Sequence, residues 1–215
     1  MASKFSWAEA IKPLQKKYKG KKHPLEYKNL YQLVVMVILS AQTNDKLIND
    51  ICPKLFSDVP NMKALSNLTA EMLYPYISKV TGFRKKADWL VNMAKELRDE
   101  KNIVFSIDGL TKLPGIGRKS ANVIMRESGK QPEGVIVDLH VVRVAPRLGI
   151  AKGTDPKKIE AQIMEVIPQK DWGVGMDISF LGREICRPTN PKCSECPMNP
   201  FCAYFKSLSR KSSRK

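Results

Sequence analysis

Leu113-Pro114-Gly115-Ile116-Gly117-Arg118-Lys119-Ser120-Ala121, followed further on by Val137-Asp138-Leu139-His140, is the stretch on which the reading of this chain turns. Pro114 fixes φ, and glycines at 115 and 117 supply backbone geometries that a Cβ would obstruct. The segment therefore reads as a tight turn between two helices. With no side chain at either glycine, backbone N–H groups can approach an anion closely. A helix starting near Arg118 adds first-turn N–H donors and a positive dipole end. Such a turn suits a DNA phosphate gripped without regard to base. Taken alone it is equally an αα-connection capped by glycines for packing.

Outward from the turn the pattern is helical nearly throughout, and no strand pair carries a hairpin signal, so the chain reads as all-α. Ile107–Leu113 and Arg118–Ser128 are the two arms, the second stopped by Gly129. Upstream, helices are expected over 8–18, over 28–41 (apolar on almost every face, hence central), over 44–56, up to Ile77 from a Thr69 cap, and over 84–98. Val135–Val137 reads as a short extended linker. Downstream, helices are expected over 139–148 up to Gly149, over 155–166 from the strong Asp155-Pro156 start, and over 174–185.

A chain of 215 residues can bury a sizeable core in one domain or two small ones. The N-terminus, Met1–Trp7, lacks the apolar core of a secretory signal, and the run Leu33–Leu39 is far below the roughly 20 residues a membrane span needs. A soluble intracellular protein is expected, without membrane partners. The net charge of +16 points to a polyanionic partner, and its distribution is uneven. Eight lysines against two acids lie in residues 1–28, and five basic residues with no acid in 206–215. Basic ends raise sequence-independent, salt-sensitive affinity for nucleic acid. A solvated basic surface is the plain alternative. Residues 206–215 read as a disordered tail.

Cys186, Cys193, Cys196 and Cys202 stand as C-x6-C-x2-C-x5-C in a proline-rich segment, while Cys52 lies alone upstream among apolar helix positions. Four thiols at this density, with no export signal, suggest a metal site over disulfides. Tetrahedral zinc and an iron–sulfur cluster both take four thiolates, and spacing alone leaves the two open. Cys52 reads as a buried small hydrophobe.

Three motifs together, in this order, resemble the endonuclease III family of helix-hairpin-helix DNA glycosylases. They are Leu39-Ser40-Ala41-Gln42-Thr43-Asn44-Asp45, the glycine turn with its downstream aspartate, and the four cysteines. The resemblance covers about residues 25–205. It implies a six-helix domain over 25–135, and a cluster domain formed by 1–24 with 136–215, with DNA in a cleft between them. It favours a [4Fe–4S] cluster on Cys186, Cys193, Cys196 and Cys202 over structural zinc. The cluster would order a loop carrying Arg183, Arg187 and Lys192 against phosphate. Lys119 and Asp138 fall where the family carries its nucleophile and its essential aspartate.

The chemistry so implied is removal of an oxidised pyrimidine by a bifunctional glycosylase and abasic-site lyase, acting as a monomer on double-stranded DNA with damaged bases or abasic sites. A lysine attacks a sugar carbon only as the neutral amine. Desolvation and neighbouring positive charge, here Arg118 and the helix dipole, both favour that form. Asp138 would stabilise positive charge developing on the sugar, or serve as the N-cap of the helix that follows. By the same resemblance, Gln42 would fill the gap left by the extruded nucleotide. Gly115, Gly117 and Arg118 would hold phosphate, and His140 matches the pyrimidine-specific members. Two departures bear on substrate choice. The loop Thr81–Ala87 is one residue shorter than usual and offers Phe83 as its wedge, and Leu139 replaces the usual threonine. The competing readings are a glycosylase of the same fold acting on mismatched or alkylated bases, and a non-catalytic DNA-binding module. The compartment would be the cytoplasm, with the nucleoid, in a prokaryote and the nucleus in a eukaryote.

Overall fold

The computed structural model describes residues 5–212, and those residues form helices and turns with no strand among them. In chain order the helices are α1 (Trp7–Ala10), α2 (Lys12–Tyr18), α3 (Leu30–Ser40), α4 (Asp45–Asp58), α5 (Met62–Ser66), α6 (Ala70–Ile77) and α7 (Phe83–Leu97). They continue with α8 (Ile107–Lys112), α9 (Arg118–Glu127), α10 (Leu139–Leu148), α11 (Pro156–Val166), α12 (Val174–Glu184) and α13 (Ala203–Ser212). No helix of the described residues is long and apolar enough to cross a membrane.

Side-chain caps set many of the starts. Asn29, Asn44, Asn61, Ser106, Asp138 and Asp155 each accept a hydrogen bond from a first-turn N–H of the helix they precede. Such a cap stabilises its helix by about 1 kcal/mol. The helix expected over 8–18 is divided at Ile11. Pro13 has no N–H to continue the ladder, and Leu14 N bonds back three residues to Ile11 O at 2.9 Å.

The chain forms two compact units, one of Lys22–Gln131 and one made from the chain up to Lys21 together with Pro132 onward. In the first, α3 is the hub. Tyr31 and every residue from Leu33 to Leu39 is buried, and α4, α7 and α9 pack around the helix. Each such side chain contributes roughly 1.5–3 kcal/mol by leaving water. α7 in turn buries Ala87, Leu90, Val91 and Ala94 against α5 and α6. Cys52 on α4 is fully buried beside Ile48 and Leu55, and that burial pushes its thiol up to about 12. In the second unit α10 lies along α12, α12 also packs on α2, and α11 and α13 lie on α10.

Residues 206–212, read from composition as tail, continue α13 instead. Tyr204 seats that helix, its ring 5.1 Å from the Arg147 guanidinium. Residues 213–215 of the expected tail lie outside the described residues.

Candidate active site

α8 and α9 pack together as a helical hairpin, joined by residues 113–117. Ile116 N bonds to Leu113 O at 3.2 Å, and the buried side chains of Leu113 and Ile116 pin the turn to the core. The two glycines then part company. Gly115 has φ +82°, and a Cβ there would lie 2.6 Å from Cε3 of Trp89 and 3.2 Å from Ile38 Cγ2. Gly117 has an ordinary extended backbone (φ −95°, ψ 174°), and its missing Cβ points into open space. The expectation that a Cβ would be obstructed at both holds only for Gly115. At Gly117 the obstruction can come only from something outside this unit's own atoms. Gly117 is also the N-cap of α9 without a side-chain acceptor, so no cap side chain covers the N–H donors of that first turn.

This contrast makes a prediction. Gly115→Ala should destabilise the fold by about 3 kcal/mol, through ring clash and positive φ. Gly117→Ala should leave stability within about 1 kcal/mol of wild type while weakening DNA binding. Thermal melts beside a binding titration separate the two. Unchanged binding by Gly117→Ala would remove the turn from the DNA surface.

Arg118 and Lys119 open α9 and both are exposed. The burial expected to favour a neutral amine at Lys119 is therefore not supplied by the protein alone. The reason is local: the first turn projects from the hairpin, and the apolar positions Ala121, Val123, Ile124 and Met125 take the buried face.

Asp138 is half-buried at the start of α10. Its Oδ1 accepts hydrogen bonds from His140 N (2.8 Å) and Val141 N (2.9 Å), so the N-cap expectation holds. Its Oδ2 accepts from the Ser179 hydroxyl at 2.6 Å and lies 3.9 Å from the Arg183 guanidinium. Ser179, which belongs to none of the sequence motifs, is fully buried. A signal was present: Gly175, Ser179 and Gly182 recur at helical spacing on α12. A Cβ at Gly175 would meet Ile136 O at 2.5 Å, and one at Gly182 would meet His140 Cβ at 2.8 Å. Small residues on this face let α12 approach the aspartate and its preceding linker closely.

Arg143, also unremarked in the sequence, donates to Gly182 O (2.9 Å) and Cys186 O (3.3 Å), with Nη2 3.2 Å from His140 Nδ1. His140 is thus tied into the α10–α12 contact. Leu139, between aspartate and histidine, is 84% exposed.

Gln42 is exposed on the turn between α3 and α4, with φ +57°. Phe83 opens α7 half-buried, its ring edge-on to Tyr74 at 5.2 Å with the Arg84 guanidinium 5.5 Å away. The wedge expected of Phe83 is therefore a ring already packed on one neighbour.

All four C-terminal cysteines line one pocket, walled by Leu148, Leu181, Ile185 and Phe205. Burial first, and the other thiolates next, raise Cys193 and Cys196, the latter to about 11. A bound cation reverses that balance by drawing off the protons. Among the described residues no three His, Cys, Asp or Glu side chains meet closely enough to hold one metal ion. Four thiols on one pocket are a donor set that either a polynuclear cluster or a tetrahedral ion can use.

Arg147 braces the segment, donating to Arg187 O (2.7 Å) and Pro188 O (3.0 Å), with Nη1 3.5 Å from Cys186 Sγ. Arg187 is exposed there, and Lys192 pairs with Glu195 at 3.6 Å. Arg183 belongs to α12 beside Asp138, upstream of the cysteine loop that was expected to carry it.

Comparison with known proteins gives this arrangement its context. Residues 35–169 match the model of the HhH-GPD superfamily base excision DNA repair proteins. The chain is 36% identical to endonuclease III of Synechocystis sp., covering 94% of both chains. It is 34% identical to endonuclease III of Bacillus subtilis, over 83% of each. Among solved structures, a trapped endonuclease III–DNA covalent intermediate superposes with a TM-score of 0.82 at 30% identity, covering 94% of this chain and 96% of that one. A thermostable thymine-DNA glycosylase shares the fold at a TM-score of 0.74 and 18% identity, covering 92% and 95%. With the glycine turn, the capped aspartate and the four-cysteine pocket in its sequence order, the chain belongs to the endonuclease III family of the HhH-GPD superfamily.

Proposed function

We propose that the protein is a bifunctional DNA glycosylase and abasic-site lyase of base excision repair, acting on oxidised pyrimidines in double-stranded DNA. The observation that carries this reading is the exposed Lys119 on the first turn of α9, a helix whose N-cap Gly117 has no side chain and leaves that turn open to a phosphate. The amine lone pair forms a bond to C1′ of the extruded nucleotide as the bond to the base breaks. Ring opening leaves an iminium, loss of a proton from C2′ follows, and elimination of the 3′ phosphate cuts the strand. Asp138, its carboxylate oriented by two backbone N–H groups and the Ser179 hydroxyl, opposes the positive charge that develops on the sugar. Gln42 fills the vacated position in the duplex. Gly115, Gly117 and Arg118 engage phosphate, and Arg187 and Lys192 add cationic contacts. The protein acts as a monomer beside the genome, within the cytoplasm if its source is bacterial like the relatives named above.

Cys186, Cys193, Cys196 and Cys202 would hold a [4Fe–4S] cluster, which when bound supplies cross-linking of the loop and not bond cleavage. The purified protein should then be brown and contain about four irons. Cys202→Ala should lose the colour and melt on the order of 10 °C lower, because metal binding to such a loop is also folding energy. A colourless protein with stoichiometric zinc would replace the cluster with a single ion.

The test of the function is a panel of duplexes carrying thymine glycol, an abasic site, uracil, an alkylated purine or a T·G mismatch, each with borohydride. Thymine glycol and the abasic site should be cut and should trap the protein covalently. Cutting confined to the mismatch or the alkylated base moves the assignment to another glycosylase of this fold.

A further inference from the structure

Lys86 is a lysine buried to 5% exposure that the chemistry above does not use. It reaches from α7 to the far end of α3, where its ammonium donates to Leu39 O (2.8 Å) and Ala41 O (2.5 Å), with Thr43 Oγ1 at 3.4 Å. Three acceptors match the three donors of an ammonium. Burial pushes Lys86 below the usual lysine range, and the three oxygen acceptors around its Nζ oppose that desolvation cost. The carbonyls it binds are those left without helical partners where α3 ends, at the negative pole of the helix.

The turn so gripped is itself strained. Thr43 N bonds to Ser40 O at 3.0 Å, Ala41 has φ −57° and ψ 118°, and Gln42 has φ +57°. This is the outline of a type II turn, whose third residue is ordinarily glycine or asparagine. A glutamine there costs on the order of 1–3 kcal/mol and persists only where its surroundings over-determine it. Thr43 adds a second tie, its Oγ1 accepting from Thr81 N (3.3 Å) at the foot of the Phe83 loop. The residue held in the strained position is exposed, so the strain is not repaid by packing of its own side chain.

We propose that Lys86 is a positioning residue that locks the Ser40–Thr43 turn in the one conformation that presents Gln42 to the interior of a DNA duplex. The inference rests on the proposed function only through the role of Gln42.

The test uses full-length protein, a duplex with an uncleavable tetrahydrofuran abasic analogue, and 2-aminopurine opposite it. Affinity and 2-aminopurine fluorescence are read for wild type, Gln42→Ala, Lys86→Met and the double variant. Each single variant should bind about 10-fold more weakly than wild type and lose the fluorescence change that reports filling of the gap. The double variant should bind no more weakly than either single one, because both remove the same interaction. Lys86→Arg keeps the charge, but its flat fork cannot meet three converging acceptors. It should fall about 3-fold, and it carries the comparison alone if the methionine variant does not fold. Losses that multiply to about 100-fold in the double variant, or a Lys86 variant with wild-type fluorescence, would overturn the proposal. Wild type that does not prefer the abasic duplex over intact DNA instead sinks the functional reading itself.

Discussion

Lys119→Ala should abolish borohydride trapping on an abasic duplex and slow strand cutting by about 1,000-fold or more, with the melting temperature unchanged. The size follows from the chemistry, since no covalent intermediate forms without the amine. The unchanged stability follows from the site: Lys119 is exposed at the second position of α9, whose buried face is built from other residues. Trapping and cutting must disappear together. Strand cutting without trapping by wild type would mean that water and not an amine attacks the sugar. Trapping that survives in Lys119→Ala would place the nucleophile elsewhere. Because burial does not help this amine in the free protein, its reactivity should develop on DNA binding, when the duplex and the extruded nucleotide displace water.

Asp138→Asn should retain DNA affinity within about 3-fold while losing turnover by about 100- to 1,000-fold. The substitution separates two jobs carried by one side chain. An asparagine Oδ1 still accepts from His140 N and Val141 N, so the start of α10 keeps its cap. At the other position an N–H₂ replaces Oδ2, and the Ser179 hydroxyl can rotate to accept from it. Only the negative charge is lost. Asp138→Ala, by contrast, removes the cap as well and should cost about 1 kcal/mol or more of stability. If the asparagine variant loses binding in proportion to turnover, the aspartate serves architecture and not the developing charge.

What was legible in the sequence follows from which interactions are local. Asp155-Pro156 marks the start of α11, and its end at Val166 followed from periodicity alone. Gly129 and Gly149 terminate α9 and α10 with positive φ, as their positions suggested. The all-round apolar stretch ending at Ser40 is the hub of its unit, as a helix without a polar face must be. The five-residue α5 carries no periodic signal, because one turn and a half is too short for a 3.6-residue pattern to register. Residues 206–212 of α13 look like tail because Ser, Lys and Arg dominate them, while the helix's anchor, Tyr204 against Arg147, joins residues far apart in sequence. The candidate nucleophile and carboxylate were readable as a motif. Their supports belong to no motif, and only Ser179 is hinted at, by the small-residue spacing of α12. Ser179 and Arg143 act through partners across the α10–α12 contact, Arg147 through carbonyls of the distant cysteine loop, and Lys86 sits in a run, Arg84-Lys85-Lys86, that reads as solvated charge.

The pairing of α2 with α12 has a consequence for how this protein is made. Tyr18 packs at a tilt on Phe180 with ring centroids 5.6 Å apart, and Gln15 donates to Asp171, just ahead of α12, across a separation of 156 residues. A ribosome therefore releases α2 long before its partner exists, and α2 must wait while the intervening unit Lys22–Gln131 emerges. A segment made well before α12 is thus among the last to settle, and it stays in reach of proteases and chaperones until α12 has left the exit tunnel.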